Sequence, residues 1–383
     1  MDIKKATEKY EKWVNHQIPI NQADLQTKHE RMANSPFEFL RATFYRWTQV
    51  WPETCEKEKI APQVLVVGDL HVENFGTWRD DESRLVWGVN DFDEACYMPY
   101  TSDLIRLAAS AELSSGISLD LEQMCQEILN GYSETLQSGR KSSKPIILAE
   151  KNDWLREIAL GKLRYSNNSD RRDKFEEFWE KLLGLKPLKE PLEDKRLQQA
   201  MDQARLILER ILPQPLPDYE LVWREAGLGS LGRPRFVARV KNWQGGLIAR
   251  EAKALTLSAW LWAQDDDQKQ KIRYQEILDT AVRSSDPKMK VIGAKDDIRW
   301  IVRRLAPDAD KIKLTSPPKK HQDNLLRLMG RETANIHLGS KGQIAEIRED
   351  LKKRCEGDIG WLLKATEKMV DAIKADYKDW KDR

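Results

Sequence analysis

The residues of this chain that could do chemistry concentrate in two short stretches of the first hundred positions. Asp69 and Asn74 lie five residues apart, directly after the apolar run 64–67, and Asp91 follows the next apolar run, 85–89. Each run predicts a short strand that delivers a carboxylate at its end. Phosphoryl transfer needs a carboxylate that accepts the proton of the attacking hydroxyl, and oxygen ligands that hold Mg²⁺ against the phosphates. Asp69, Asn74 and Asp91 supply that set, although a single Asp at such a position is more typical of a turn cap after a strand.

A two-metal phosphoesterase is a rival interpretation of the same stretch, because Gly-Asp-x-His after an apolar strand also opens that pattern. Such a site requires further ligating histidines in Gly-Asn-His and related loops. The chain has five histidines, and outside His71 none of them occurs in such a context. The number of ligands therefore excludes this class of site.

The elements that must position these residues follow from the apolar patterning. Residues 1–60 and 103–212 have helical periodicity, whereas 221–302 contains several strand candidates, including a hairpin that turns at 245–246. A helix is predicted around 268–282, and residues from about 322 to the end are again helical. The predicted order is helices, a pair of strands, helices, a sheet, and helices.

Composition and charge exclude several classes of protein. Charged residues make up 33% of the 383 residues and the net charge is +2, which indicates a globular protein without the basic field of a nucleic-acid binder. The four cysteines are far apart and form no Cys-x-x-Cys pair, so a reducing compartment is expected rather than a structural zinc site. No apolar run reaches the roughly 20 residues of a membrane span, and the first residues lack the apolar core of a signal peptide. We therefore expect a cytoplasmic protein without a membrane partner.

The stretch 68–75 resembles the catalytic loop of the protein-kinase-like superfamily, in its aminoglycoside- and choline-kinase-like branch. There an Asp-x-His-x-x-Asn loop precedes an Asp-aromatic-acid motif and a Pro-x-x-x-Asp-Leu segment, and this chain has matching residues at 69–74, 91–93 and 99–104. The resemblance implies that Asp69 is the catalytic base and that Asn74 and Asp91 are magnesium ligands. It also implies that Asp103 braces the loop. His71 stands where protein kinases often have Lys, which favours a small-molecule acceptor. Asp93 is a further candidate in the same motif.

The second region with a recognisable pattern is residues 227–232, which fit G-x-G-x-x-G with Gly227, Gly229, Ser230 and Gly232. A dinucleotide-binding fingerprint runs from a strand through the loop into a helix, but here a β-like segment, 236–240, follows the loop. A loop between two strands resembles the glycine-rich loop that covers the ATP phosphates in kinases. An ordinary glycine-rich hairpin is the alternative.

Arg250 ends the strand candidate 247–250 and resembles the phosphate-contacting residue of that strand in kinases, with Arg in place of the usual Lys. Lys253 is expected on the opposite face of the strand, because side chains alternate along it. Glu276, on the following helix, is a candidate partner for Arg250. Because Arg and Lys differ in shape and reach, the replacement puts catalytic activity in question.

Over most of its length the chain also resembles an uncharacterised, largely bacterial family, number 2252 among the domains of unknown function. The marks of this resemblance are an Arg-Met-x-x-Ser-Pro-Phe-x-Phe-x-Arg segment at 31–41, the stretch 68–76, and Asn-Asp-Phe-Asp-Glu at 90–94. This family likeness bears on the fold more than on the substrate.

The resemblances together imply an α+β, bilobed, protein-kinase-like fold that is circularly permuted, because the catalytic half precedes the glycine-rich half. Residues 1–214 would form the helical catalytic lobe, 215–310 the β-rich ATP lobe, and 311–383 helices that complete the first lobe. The function implied is transfer of phosphate from Mg-ATP to an unknown acceptor, a small molecule being favoured over a protein. Two alternatives remain open, namely AMP transfer to a protein on the same fold and a weakly active or inactive nucleotide-binding scaffold.

Overall fold

The computed structural model describes residues 1–148, 154–156, 174–264, 271–293, 297–309, 311, 319–357 and 360–382. Four helices open the chain: α1 (Ile3–Gln17), α2 (Gln22–Met32), α3 (Pro36–Ala42) and α4 (Phe44–Thr54). Local sequence explains their starts. Asn21 accepts hydrogen bonds at the beginning of α2, and Ser35 does the same for α3, where Pro36 occupies the first helical position.

Two small antiparallel sheets carry the first chemistry-bearing stretch. Strand β1 (Gln63–Val66) pairs with β4 (Cys96–Pro99), and β2 (Phe75–Arg79) pairs with β3 (Leu85–Val89), which also pairs with the short β5 (Ile146–Ile147). A 3₁₀ turn, Val72–Asn74, leads directly into β2. The loops after β1 and β3 are thus the two places where the predicted carboxylates emerge.

Helices fill the middle of the chain. Helix α5 (Thr101–Leu113) follows β4 and is buried along most of its length. Helix α6 (Leu121–Ser138) is capped by Asp120, whose side chain accepts from the amide of Gln123. Helices α7 (Lys174–Gly184) and α8 (Lys195–Ile211) follow, so part of the predicted helical region 103–212 lies outside the described residues.

A five-stranded antiparallel sheet forms the β-rich part of the chain. It contains β6 (Glu220–Trp223), β7 (Arg235–Trp243), β8 (Gly246–Leu255), β9 (Lys290–Ile292) and β10 (Arg299–Leu305), in the order β6-β7-β8-β10-β9. The hairpin between β7 and β8 turns at Gly245, whose φ of +86° suits glycine. Helices α9 (Ala259–Gln264) and α10 (Tyr274–Thr280) lie between β8 and β9; positions 268–270 of the helix predicted around 268–282 are outside the described residues.

Three helices end the chain: α11 (Lys319–His337), α12 (Ile344–Gly357) and α13 (Trp361–Lys381). Helix α13 packs on the N-terminal helices, where the indole nitrogen of Trp380 donates to the carbonyl of His29. One large apolar cluster runs from α1 through β1 and α5 to α13 and to one face of the five-stranded sheet. The opposite face of that sheet packs against α7 in a second, smaller cluster.

The α+β class predicted from the sequence is confirmed, since helices and small antiparallel sheets alternate as expected. The region 215–310 contains all five strands of the large sheet. Within the described part of the chain, no helix combines the length and the apolar character that crossing a bilayer requires.

Candidate functional site

The loop that leaves β1 is held from below by a buried carboxylate. Asp103, at the start of α5, is fully buried, and its two oxygens accept hydrogen bonds from the amides of Val67 (2.8 Å) and Gly68 (3.0 Å). His337 of α11 contacts the same carboxylate, with Nε2 3.1 Å from Oδ2. A φ of +81° at Gly68 then turns the chain towards Asp69. Asp103 thus fixes the backbone of this loop through two of its amides.

Asp69 is oriented by a buried arginine. Both Nε and Nη2 of Arg106, one turn further along α5 than Asp103, donate to Oδ1 of Asp69. Arg106 is itself enclosed by the rings of Phe44 and Trp47, each 5.0 Å from its guanidinium carbon. One carboxylate oxygen of Asp69 is therefore anchored, and Oδ2 has no contact with Arg106 among those described.

Asn74 links the two carboxylate loops. Its Nδ2 donates to the backbone carbonyls of Asp69 (3.3 Å) and Asp91 (3.0 Å). Because the amide nitrogen is used in this way, Oδ1 must point elsewhere; it is buried and has no hydrogen-bond partner among the described residues. An unpartnered buried oxygen is costly, so this atom is suited to a ligand that supplies a positive charge.

Lys253 of β8 joins the five-stranded sheet to the loop after β3. Its Nζ lies 2.9 Å and 3.1 Å from the two carboxylate oxygens of Asp91 and 2.6 Å from Oδ1 of Asp93. Burial alone would raise the pKa of Asp91, but the charges of Lys253 and Lys311 hold that pKa well below its usual range. Burial and the charge of Asp91 raise the pKa of Asp93. Of the two carboxylates, Asp91 is thus the one whose ionised form the surrounding charges favour more strongly.

The glycine-rich loop lies over these groups. It connects the antiparallel strands β6 and β7 and includes a 3₁₀ turn, Leu228–Ser230. A Cβ at Gly229 would stand 3.0 Å from the carbonyl oxygen of Arg41 and 3.3 Å from Oδ2 of Asp69, so a larger residue would force one of these neighbours to shift. The hydroxyl of Ser230 is used within the loop, where it accepts from Arg235 (2.9 Å).

These loops enclose one cavity of about 50 Å³. Its walls come from the N-terminal helices, the loops after β1 and β3, the glycine-rich loop and the segment after β10. The predicted site residues among its lining are Asp69, His71, Asn74, Asp91, Asp93, Gly227, Gly229 and Ser230, and they are joined by Tyr10, Arg41, Glu94, Arg233 and Lys311. The structure therefore brings together residues that are about 155 positions apart in the chain.

Four of the predicted residues lie outside this lining, and one of them is Asp103, which holds the loop after β1. Gly232 flanks it and packs against the N-terminal segment, where its carbonyl accepts from the amide of Asn21. Arg250 occupies the face of β8 opposite to Lys253, and its Nη1 donates to the carbonyl of Ala249. Glu276 bonds to Arg273, Lys271 and Tyr97 and has no contact with Arg250 among the described residues. The alternation expected for β8 is therefore present, but Lys253 is the residue that faces the site.

A buried charge cluster continues from Lys253 along the same face of the sheet. Glu251 bonds to Arg224 (2.6 Å), Arg303 (2.8 Å) and Arg235 (3.2 Å). Burial opposes ionisation of Glu251, but the three guanidinium groups hold its pKa well below its usual range. Since Arg235 also bonds to Ser230, this cluster connects the glycine-rich loop to the strand that carries Lys253.

The described residues contain no group of three or more His, Cys, Asp or Glu side chains arranged to hold a metal ion. Mg²⁺ is ordinarily held by one or two protein oxygen ligands, with phosphates and water completing its shell. The buried, unpartnered Oδ1 of Asn74 and the ionised carboxylate of Asp91 fit such a partial site.

Several residues of the site were not predicted from the sequence. Arg41 appeared only as the last residue of a family segment, and Lys253 was assigned to the wrong face relative to the site. Arg233 directly follows the glycine-rich loop, and its proximity to that loop was the available signal. Lys311 and Tyr10 had none, because only tertiary packing brings them to the cavity.

Comparison with known protein families finds a match for the first half of the chain. Residues 21–190 match the model of a family described as "Uncharacterized protein conserved in bacteria (DUF2252)". No curated protein and no solved structure matches the chain significantly. The match spans α2 to α7 and includes the loops that carry Asp69, Asn74 and Asp91, so this part of the cavity lies within the segment similar to the family.

Proposed function

We propose that this chain is a Mg-ATP-dependent phosphotransferase with a bilobed, kinase-like fold whose two halves occur in permuted order. The observation that carries the proposal is the shared cavity of the glycine-rich loop, Asp69, Asn74 and Asp91. The loop connects two antiparallel strands, which is the context of a kinase loop and not of a dinucleotide-binding fingerprint.

The position of Lys253 supports the same function. It lies on the third strand counted from the glycine-rich hairpin, where protein kinases carry the lysine that contacts the ATP phosphates. Its contacts with Asp91 and Asp93 place its charge beside the residues that would hold the metal. In this assignment Lys253 takes the role expected for Arg250 from the sequence.

Each residue then has a chemical task. Asn74 and Asp91 would hold Mg²⁺, which neutralises charge on the phosphates. Asp69, fixed through Oδ1 by Arg106, would orient the acceptor group with Oδ2 and take its proton as the new bond to the γ-phosphorus forms. The bond between that phosphorus and the bridging oxygen breaks at the same time, and ADP leaves with the electron pair. Lys253 and the amides of the glycine-rich loop would stabilise the phosphate charge.

The experiment that tests this function is nucleotide binding followed by thermal unfolding. ATP with Mg²⁺ should raise the melting temperature, by an amount equivalent to about 2.7 kcal/mol at a hundred times the dissociation constant. ATP with EDTA should give a much smaller shift, because Asn74 and Asp91 would contribute to ATP binding only when a metal ion is present. The absence of a shift with any nucleotide and metal would rule out the proposal.

A nucleotide-binding protein without turnover, or one that transfers AMP, is the second candidate. The pairing of Lys253 with Asp91 and Asp93 favours the form without turnover, since its ammonium group neutralises a carboxylate that would otherwise bind the metal. ATP labelled in the γ-phosphate or in the adenosine, with products identified by mass spectrometry, separates the three outcomes.

A further inference from the structure

We propose that the acceptor carries a phosphate group of its own, bound by Arg41, His71 and Lys311 on the wall of the cavity beside Asp69. This inference rests on the proposed phosphotransfer, because it names the class of acceptor for the same site. The three residues come from different parts of the chain, and all of them line the cavity.

Arg41 has donor capacity that the protein leaves unused. Its Nη1 pairs with Glu73 at 2.6 Å, and its guanidinium lies 5.4 Å from the centre of the Phe37 ring. Its Nε is buried and has no hydrogen-bond partner among the described residues. The guanidinium group is thus held in place by a carboxylate and an aromatic ring, while its Nε–H has no described acceptor. An arginine fixed in this way is suited to bind an oxyanion.

His71 adds a second unused nitrogen. The residue is 5% exposed, its ring packs edge-on against Phe37, and Nδ1 is buried without a partner in the described part of the chain. Burial, together with the charges of Arg41 and Lys311, holds the pKa of His71 well below its usual value. The imidazole is therefore neutral and can donate one hydrogen bond without adding charge.

Lys311 completes a positive field on this wall. Its backbone bridges to Gly76, just after the loop that carries Asn74, so it approaches the cavity from the side of β2. Burial lowers the pKa of Lys311 to about 8, against the opposing effect of Asp91. The wall thus offers two cations and a neutral donor next to Asp69, and a dianionic phosphate with several acceptor oxygens fits this set better than a carboxylate does.

The experiment measures binding of inorganic phosphate to the full chain by calorimetry. The protein is first saturated with Mg²⁺ and a non-hydrolysable ATP analogue, so that the phosphate positions under the glycine-rich loop are filled. The wild type should bind one phosphate, and Arg41→Ala should weaken it by roughly 10- to 100-fold without changing the affinity for the analogue. Arg31→Ala is the matched control, since Arg31 pairs with Glu38 and does not line the cavity.

A second variant guards against misfolding, because Arg41→Ala leaves Glu73 unpaired. His71→Phe keeps a buried aromatic ring at this position but removes the imidazole nitrogens, including Nδ1. This variant should bind phosphate more weakly than the wild type and have the same melting temperature. The proposal is overturned if phosphate does not bind, if acetate binds more tightly, or if Arg41→Ala weakens the analogue as much as phosphate. If the analogue itself fails to bind, the phosphotransferase function fails, and the titration without nucleotide still tests the anion site through the same variants.

Discussion

The carboxylate of Asp69 divides its two oxygens between two tasks. Oδ1 is held by Arg106, whereas Oδ2 lies under the glycine-rich loop, near the point where a side chain at Gly229 would stand. We expect Asp69→Asn to lower turnover by roughly 10²- to 10⁴-fold, because the amide keeps an oxygen for Arg106 but cannot accept the proton of the acceptor. The affinity for Mg-ATP should stay nearly unchanged, which calorimetry on the same variant can check.

Asp91→Asn is the comparison that separates the two carboxylates. It should weaken Mg²⁺-dependent binding of ATP, since Asp91 would be a metal ligand and not the base. An equal loss of binding in the Asp69 and Asp91 variants would show that these two roles are wrongly assigned.

Lys253 and Arg250 form a matched pair on opposite faces of one strand. Lys253→Met should weaken Mg-ATP binding by about 1.5–3 kcal/mol, because a charge-assisted contact is lost. Arg250→Met should leave that affinity unchanged, since Arg250 lies away from the cavity. Calorimetric titration of both variants with Mg-ATP provides the measurement. If Arg250→Met loses more affinity than Lys253→Met, Arg250 is the residue that contacts the phosphates.

At this scale the sequence identified three of the four acidic residues that line the cavity, Glu94 being the exception, but none of its lysines and arginines. Asp69, Asn74 and Asp91 were recognisable because each follows an apolar strand. The face of β8 that meets the site depends on how the sheet packs against the loop after β3, and alternation alone cannot decide it. Arg41 and Lys311 reach the cavity only through tertiary packing.

Among the elements, the glycine-rich loop makes the closest approach to the carboxylate loops. Gly229→Ala should push the loop away from Asp69, because its Cβ would stand 3.0 Å from the carbonyl oxygen of Arg41. We expect a loss of Mg-ATP affinity of at least about tenfold. Gly246→Ala is the control, at the far end of the same sheet, where the new Cβ would stand 3.7 Å from the carbonyl oxygen of Trp243. This variant should leave the affinity for Mg-ATP unchanged. Equal behaviour of the two variants would remove the loop from the site.

Helix α11 carries a buried carboxyl beneath the strand that leads to Asp91. Burial raises the pKa of Glu332 to about 7, and its Oε1 accepts from the amide of Val89. In the folded state the Glu332 carboxyl therefore keeps its proton at pH values where the same group in the unfolded chain, with a pKa near 4.5, has lost it. The raised pKa of Glu332 changes the free energy of unfolding by roughly 3 kcal/mol at most between low and high pH. This contribution to stability is fully present below about pH 4.5 and is lost as the pH rises through 7.

Glu332→Gln tests this pH dependence, because it fixes the side chain in a neutral form. The variant should be more stable than the wild type at pH 8 and about equally stable at pH 4.5, as measured by urea unfolding. The new amide group lies beside Asn335, whose buried Oδ1 has no hydrogen-bond partner among the described residues and can accept from it. A parallel pH profile for both proteins would contradict the prediction.

Elements were easier to predict than their contacts. The hairpin at Gly245 and the helices of residues 1–60 follow from turn chemistry and periodicity. The two small sheets show the limit, since β1 pairs with β4 and not with its neighbour β2. That pairing depends on burial of both strands in the same core, which a local pattern does not encode.

For the whole molecule, the sequence predicted the α+β class and the position of the large sheet within 215–310. The closeness of two sites about 155 residues apart could be expected only through the kinase-like resemblance. Physically, it results from contacts between the N-terminal segment and the sheet: Lys28 donates to the carbonyl of Gly229, and Trp223 donates to Asp24. Such long-range contacts have no signature in composition or periodicity.

If the two halves of the chain are permuted parts of a kinase-like fold, their order along the chain should not matter for the site. A permutant that begins at residue 217, with a Gly/Ser linker joining residues 382 and 2, should therefore fold and bind Mg-ATP as the wild type does. The opening lies between α8 and β6, where Leu216 is exposed, and the N-terminal helices already contact α13 through Trp380. A linker of about 20 residues spans roughly 25 Å on average, a reach that suits termini on neighbouring helices. Circular dichroism, urea unfolding and ATP titration compare the two proteins. A permutant that folds but no longer binds Mg-ATP, beside a wild type that does, would show that the site depends on the native order of the chain.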